Sequence, residues 1–410
     1  MNLRSTGIRR RGLAALSATL AGAVVAVGGC ATVPAAGHAT RSAGPARASR
    51  TAVPPLGPGR VGQRSAVPWR QVGPGWTLAE YSASTVPMAS PRRTGATTLY
   101  LISPEGGRYR LYQWPAAAVS QVPGLVDWSG DGTRALLVRQ GPDNAPWLVE
   151  QITLATGKVS TFRLPWYATL LGYTKPSGLN VLVSIGPNEL TRIARYNLRG
   201  QRQVVLASGD NLSAIQSPDG TTLAVSGTTG LVLVSNAGGV IRRLPVPGIS
   251  APNGCYPERW WDASTILAGC FVPGSSASRL WLVPAGGGRP TVLTPQRNGH
   301  GPDPQGDIGA WQLPGGLYLQ AVGACSALFI VRQDRNGPVH VVNIPGTEGN
   351  NNRILTARQG RLLVRAQTGC PGSESLLWFN PATRGVQMLL RAPGNVSGVI
   401  GAVPFRQAGG

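Results

Sequence analysis

Few residues in this chain have the type and spacing to do chemistry. Five cysteines occur: Cys30, Cys255, Cys270, Cys325 and Cys370. The last four form an even set, which in an exported protein reads as two disulfides with three possible pairings. Zinc would be the rival use, but the chain has no C-x-x-C and no paired-histidine spacing. Of the three histidines, His38 lies in an Ala/Pro/Arg-rich stretch and His340 in Pro338-Val-His-Val-Val, which reads as an outer strand. His300 sits in the richest polar cluster, Arg297-Asn-Gly-His-Gly-Pro-Asp-Pro-Gln-Gly-Asp307, which groups Arg297, His300, Asp303 and Asp307 in one loop. These four are binding candidates, although a solvated polar loop is the plainer reading. Asp127 and Glu258 are two further candidates, each inside a short apolar segment. No G-x-S-x-G, no supported Ser/His/Asp set and no phosphate loop is present, so no catalytic residue, metal ligand or cofactor is assigned.

Cys30 has a different use. Arg4, Arg9, Arg10 and Arg11 precede an apolar run from Leu13 to Val27, which ends in Val27-Gly28-Gly29-Cys30. The run has the length of a signal-peptide core and is short for a membrane span. Its end resembles the bacterial lipobox, in which small residues admit a peptidase and the thiol takes up lipid. Residues 1–29 therefore read as a lipoprotein signal peptide and Cys30 as the lipidation site. Two or three acyl chains anchor a protein stably where one is marginal. The expected location is the extracytoplasmic face of the cell membrane. Residues 30–74, rich in Ala, Pro, Ser, Gly and Arg without a period, read as a disordered tether.

The 410 residues carry 38 Lys+Arg against 16 Asp+Glu, a net charge of +22, or +18 without the four leader arginines. Such a charge favours acidic partners: anionic headgroups, wall polymers or acidic proteins. Nucleic acid is not expected, because no basic helix and no stripe of aromatics alternating with arginines is visible. Lys158 and Lys175 are the only lysines, a bias that fits a GC-rich, actinobacterial type of genome. Gly 56 and Pro 35 are high, yet they fall between short apolar runs, which suits many turns around a real core.

From Gly75 onward the chain alternates strand and turn, and it repeats. Trp128-Ser-Gly-Asp-Gly-Thr-Arg-Ala-Leu-Leu-Val138 and Gln216-Ser-Pro-Asp-Gly-Thr-Thr-Leu-Ala-Val-Ser226 are each a strand end, a tight turn and a new apolar strand. Weaker copies begin at Lys175, Trp261, Leu313 and Arg358, and the turn residues fall at Gly132, Gly178, Gly220, Ser264, Gly316 and Gly360. The spacing is close to the 40–45 residues of a four-stranded blade. A second hairpin follows each turn, as in Leu231-Val-Leu-Val with Val240-Ile-Arg-Arg-Leu.

The two sharp copies resemble the W-S-P-D-G-x-x-L-A repeat of TolB-like and WD-repeat-like β-propellers, and the likeness extends over most of residues 75–405. It implies an all-β propeller, here counted as seven four-stranded blades, with residues 406–410 as a tail. Val396–Val403 supplies the missing innermost strand of the first blade and closes the ring. The actinobacterial LpqB-type lipoproteins likewise join a lipobox to a propeller, through domains not legible here, so the partners of TolB and of those lipoproteins do not carry over.

On that framework Asp127 and Glu258 fall on innermost strands, able to face the channel, and the 297–307 loop falls on the face where propellers usually bind ligands. Trp128, Trp261 and Trp311 precede blade turns and read as core. Aligned on the repeat, the fifth-blade turn reads as a two-residue loop that sets Trp261 opposite Ser264. That register carries Cys255 opposite Cys270. Cys325 and Cys370 end second strands in neighbouring blades and form the other expected pair. The implied function is a noncatalytic, lipid-anchored and monomeric propeller that binds an envelope protein or an anionic polymer. The alternative is an extracytoplasmic hydrolase or lactonase with a channel-bound divalent metal. A third reading is sugar binding through tryptophans. Three or more carboxylates or amides around the channel would favour the enzyme; an apolar or arginine-lined channel would favour binding.

Overall fold

A computed structural model describes residues 54–82, 95–116, 121–139, 145–186, 190–250, 254–271, 277–295, 306–323, 327–334, 339–347, 351–368, 373–391 and 398–406. Cys30, Cys325, Cys370, Arg297, His300 and Asp303 lie outside these residues.

The described chain is all-β apart from two single-turn 3-10 helices, Arg64–Ala66 and Trp69–Gln71. It folds as a propeller of five ring-arranged blades and one curled eight-stranded sheet. The second blade shows the common plan: Gly124–Trp128 innermost, then Arg134–Arg139, Trp147–Thr153 and Lys158–Leu164, all antiparallel neighbours. The third, fifth and sixth sheets repeat it from Ala168–Tyr173, Asp307–Leu313 and Asn352–Arg358 outward. In the eight-stranded sheet two such meanders, one starting at Ala214–Gln216 and one at Cys255–Trp260, are joined by the single pairing of Gly227 with Cys255.

The turn that announced the repeat holds itself together. In the second blade Ser129 Oγ donates to Asp131 Oδ1 at 2.6 Å, and the Thr133 N–H donates to the same oxygen at 3.0 Å. The third residue of that logic, Gly132, has φ +74°, which a side chain would resist. Ser217, Asp219 and Gly220 reproduce the network, with Ser217 Oγ donating to Asp219 Oδ1 at 2.6 Å.

Middle strands are apolar on both faces because both are covered. Ala135, Leu136 and Leu137 are successive and all fully buried. Leu137 packs with Leu78, Leu101 and Tyr109 of the first sheet, and Leu136 with Tyr173, Val181 and Val183 of the third. Similar clusters fill the following seams, including one inside the curled sheet, where Ala224 and Leu233 meet Ile266 and Trp281. The last joins Leu363, Leu376 and Trp378 of the sixth sheet to Ala79, Ile102 and Val399 of the first, so the core is a closed ring.

Closure follows the expected route. Val399–Pro404 is the innermost strand of the first sheet and pairs antiparallel with Thr77–Ser82, from Thr77 opposite Pro404 to Tyr81 opposite Val399. The other edge of that sheet differs from the expectation of a tether reaching residue 74. Val61–Gln63 lies parallel to Arg108–Trp114 as a fifth strand. Leu56, Val67, Trp69 and Val72 pack on the first core cluster. Four apolar residues without a period are enough to dock on an exposed sheet edge, and a search for periodicity does not register them.

Candidate binding cavity

The innermost strands share a feature that fixes what the channel contains. All except Ala214–Gln216 carry a β-bulge, an extra residue with no partner on the next strand. The inserted residues are Val126, Leu171, Glu258, Ile308, Leu355 and Ile400. Five are aliphatic and one is a carboxylate. Leu171, Ile215, Glu258 and Leu355 line a central cavity of about 540 Å3. Its rim is made of residues at the C-terminal ends of the innermost strands and in the turns that follow them, Gly130, Lys175, Pro218, Trp261 and Gln312, with Arg406 from the C-terminal end of the chain. The cavity therefore lies toward the C-terminal ends of those strands.

Asp127 and Glu258 both line the cavity, as their positions on innermost strands implied. Asp127 reaches across the seam, and its Oδ2 accepts the Tyr173 N–H of the next blade at 2.8 Å. Burial pushes its carboxyl up, opposed by that hydrogen bond and by the charges of Arg406 and Lys175. Burial raises the Glu258 carboxyl to about 7, with Arg353 and Arg259 pulling the other way. Asp307 is not part of this grouping. It is fully buried, and its backbone carbonyl accepts Ser278 Oγ at 2.9 Å. The sequence reading gave Asp127 and Glu258 as channel-facing and Asp307 as part of the 297–307 loop, and the structure brings the first two together.

The remaining charges in the wall are the cations Lys175, Arg259 and Arg406, and sequence reasoning singled out neither Lys175 nor Arg406. Arg259 lies over the Trp261 ring at 4.8 Å and the Trp311 ring at 5.6 Å, and donates to the backbone carbonyls of Trp260 and Ala310. Burial and then the charge of Arg406 bring it down to about 10, with Glu258 opposing both. Lys175 is lowered by burial and then by Arg406, with Asp127 opposing. Arg406 lines the same cavity as both other cations. Trp128 is core, 5% exposed and edge-on to Phe405 at 5.0 Å. Trp261 and Trp311 depart from the core reading: only partly buried, they line the cavity and hold Arg259. The signal available in the sequence was the adjacency Arg259-Trp260-Trp261, a cation beside two large rings.

Cys255 and Cys270 form a disulfide across the first two strands of the second meander, with Cα atoms 4.1 Å apart. The pairing is the expected one, but its register is reached differently. The Trp261 N–H bonds to Thr265 rather than pairing with Ser264, so the turn is one residue longer. The inserted Glu258 restores the match beyond it. The expected link between Cys325 and Cys370 lies outside the described residues.

A closed ring of radial sheets around a lined cavity defines the chain as a β-propeller. No family model and no curated protein sequence matches it. Among solved structures it is similar to a prolyl endopeptidase at 15% identity and a TM-score of 0.51, covering 79% of this chain and 51% of that one. The chain thus spans about half the length of that enzyme. It is also similar to the β-propeller domain of the trilobed protease of Pyrococcus furiosus (10% identity, 78% of this chain and 96% of that chain, TM-score 0.48). TolB of Acinetobacter baumannii is a third similar structure (14% identity, 80% and 66%, TM-score 0.44). At these identities the likeness is one of fold.

Proposed function

We propose that the chain is a lipid-anchored extracytoplasmic propeller that binds an envelope protein or polymer without catalysing a reaction. The eight-stranded sheet is read as two blades, making seven, because each of its meanders has its own innermost strand and its own hydrophobic seam. The observation that carries the binding reading is the composition of the cavity wall. Aliphatic bulge residues, indoles and three cations surround two carboxylates, one of which is tied to a backbone N–H. Such a wall offers contact area and charge complementarity. The membrane anchor is supported by the Val27-Gly28-Gly29-Cys30 sequence alone. No helix among the described residues is long and apolar enough to cross a membrane.

Two experiments test this. Cys30→Ser should abolish incorporation of labelled fatty acid and release or strand the protein; labelling that persists in the mutant rules out the lipobox. Crosslinking in intact cells should trap a discrete envelope component on the wild-type chain. Recovery of the chain alone under conditions that crosslink a control lipoprotein to its partner would count against the binding role.

A further inference from the structure

We infer that the mouth of the central cavity is a site for an oxyanion, a carboxylate or phosphate borne on a slender polymer, held by Lys175, Arg259 and Arg406. This rests on the binding reading above and gives the ligand its chemistry. Four observations converge on it.

The first is crowding of like charge. Arg406 depresses both Lys175 and Arg259, so three cations share one rim. Cations gathered in a half-enclosed space repel one another unless an anion offsets them. The second is that the wall's own acids offset this charge only in part, two carboxylates facing three cations. Asp127 is engaged with the Tyr173 N–H, and Glu258 answers first to Arg353. Among the described residues neither Lys175 nor Arg406 makes an ion pair.

The third observation concerns hydrogen bonds. Three wall residues keep buried polar atoms with no partner among the described residues: Trp128 Nε1, Arg259 Nε and Trp260 Nε1. All three are donors. A buried donor left unmade costs free energy, and a ligand rich in acceptors would recover it. The fourth is preorganisation. Arg259 is clamped between Trp261 and Trp311 and fixed by two backbone carbonyls, so little side-chain freedom remains to be lost on binding. Below the rim, Leu171, Ile215 and Leu355 offer an apolar surface to the uncharged part of a repeating unit.

The test titrates the full chain with three oligomers: hexagalacturonate (carboxylate), a glycerol-phosphate hexamer (phosphodiester) and maltohexaose (neutral). Binding is read from the emission of the cavity indoles and by calorimetry. At least one acidic oligomer should bind saturably and ever more weakly as salt is raised, and maltohexaose should not bind. A response to one acidic oligomer identifies which anion the site prefers; a response to both confirms the shared chemistry. Lys175→Met and Arg406→Gln should each weaken binding by about tenfold, the scale of one charge-assisted contact. Lys158→Met, on an outer strand, should leave it unchanged. Arg406 is solvent-exposed, so its variant tests the site without threatening the fold. No saturable response to either acidic oligomer, or one that survives both cavity variants, overturns the inference. If the double variant crosslinks its cellular partner as well as wild type does, the binding reading stands and the oxyanion site falls.

Discussion

Glu80 shows how one side chain can set the pH response of a ring. It lies on the strand beside the innermost one, opposite Gly401, and is fully buried. Its Oε2 accepts the Leu125 N–H of the next blade at 2.9 Å. Gln320 occupies the corresponding place in the fifth sheet, next to Gly309 across the strand pair, and its Oε1 accepts Ile354 N–H at 2.8 Å. There the amide nitrogen also donates, to Phe329 and Asn352 carbonyls. Glu80 Oε1 has no partner among the described residues. A protonated carboxyl would present a donor where Gln320 presents its NH2. Burial raises Glu80 to about 8, opposed by the Leu125 N–H, while the nearby Glu150 adds to the rise. Because the folded state holds this proton more tightly than the unfolded chain, stability falls as pH climbs from 4.5 to 8 and levels off above. Glu80→Gln should remove that slope and gain stability at pH 8, by an amount of the order of a few kcal/mol. Superimposable melting profiles of mutant and wild type from acid to alkaline pH would contradict this. At the same scale, Cys255→Ser with Cys270→Ser should cost about 3 kcal/mol, from the closed loop of 15 residues. Denaturant unfolding under nonreducing conditions measures it.

Among elements, the closing strand is the most exposed to test. Removing Gly394 onward deletes Val399–Pro404, bares the inner edge of Thr77–Ser82 and opens the seam filled by Val399. The expected result is aggregation or a large fall in melting temperature, and an unchanged melting temperature would show that the strand is dispensable. This strand, the turns and the apolar middle strands were legible in the sequence for physical reasons. Ser-x-Asp-Gly-Thr is a self-contained hydrogen-bond network, and a strand buried on both faces is a continuous apolar run. The bulges were not legible, because an extra Val, Leu or Ile inside an apolar strand leaves no mark on its pattern. Glu258 is the exception, and read as an ordinary strand residue it shifted the predicted pairing by one at Trp261 while leaving Cys255 opposite Cys270. The cavity rim was missed for a similar reason. Lys175 and Arg406 lie far apart in sequence, and only ring closure brings them together, whereas the 297–307 loop drew notice by local composition.

For the whole molecule, basic charge and ring geometry act together. The excess of Lys+Arg over Asp+Glu is spread along the chain, but the cavity gathers three cations, Lys175 and Arg259 in its wall and the exposed Arg406 at its mouth. A field focused in this way outlasts screening that would erase the same charges on an open surface. The first sheet, meanwhile, holds both ends of the described chain: Val61–Gln63 on its outer edge, Val399–Pro404 on its inner. A pull on the residues before Pro54 would meet, in order, the Leu56 contacts with Tyr109 and Ser103 and then a three-residue parallel strand. All of these lie outside the closing pair. Tension applied there would peel the edge segment while the ring stayed shut, so the outer strand would act as a mechanical fuse.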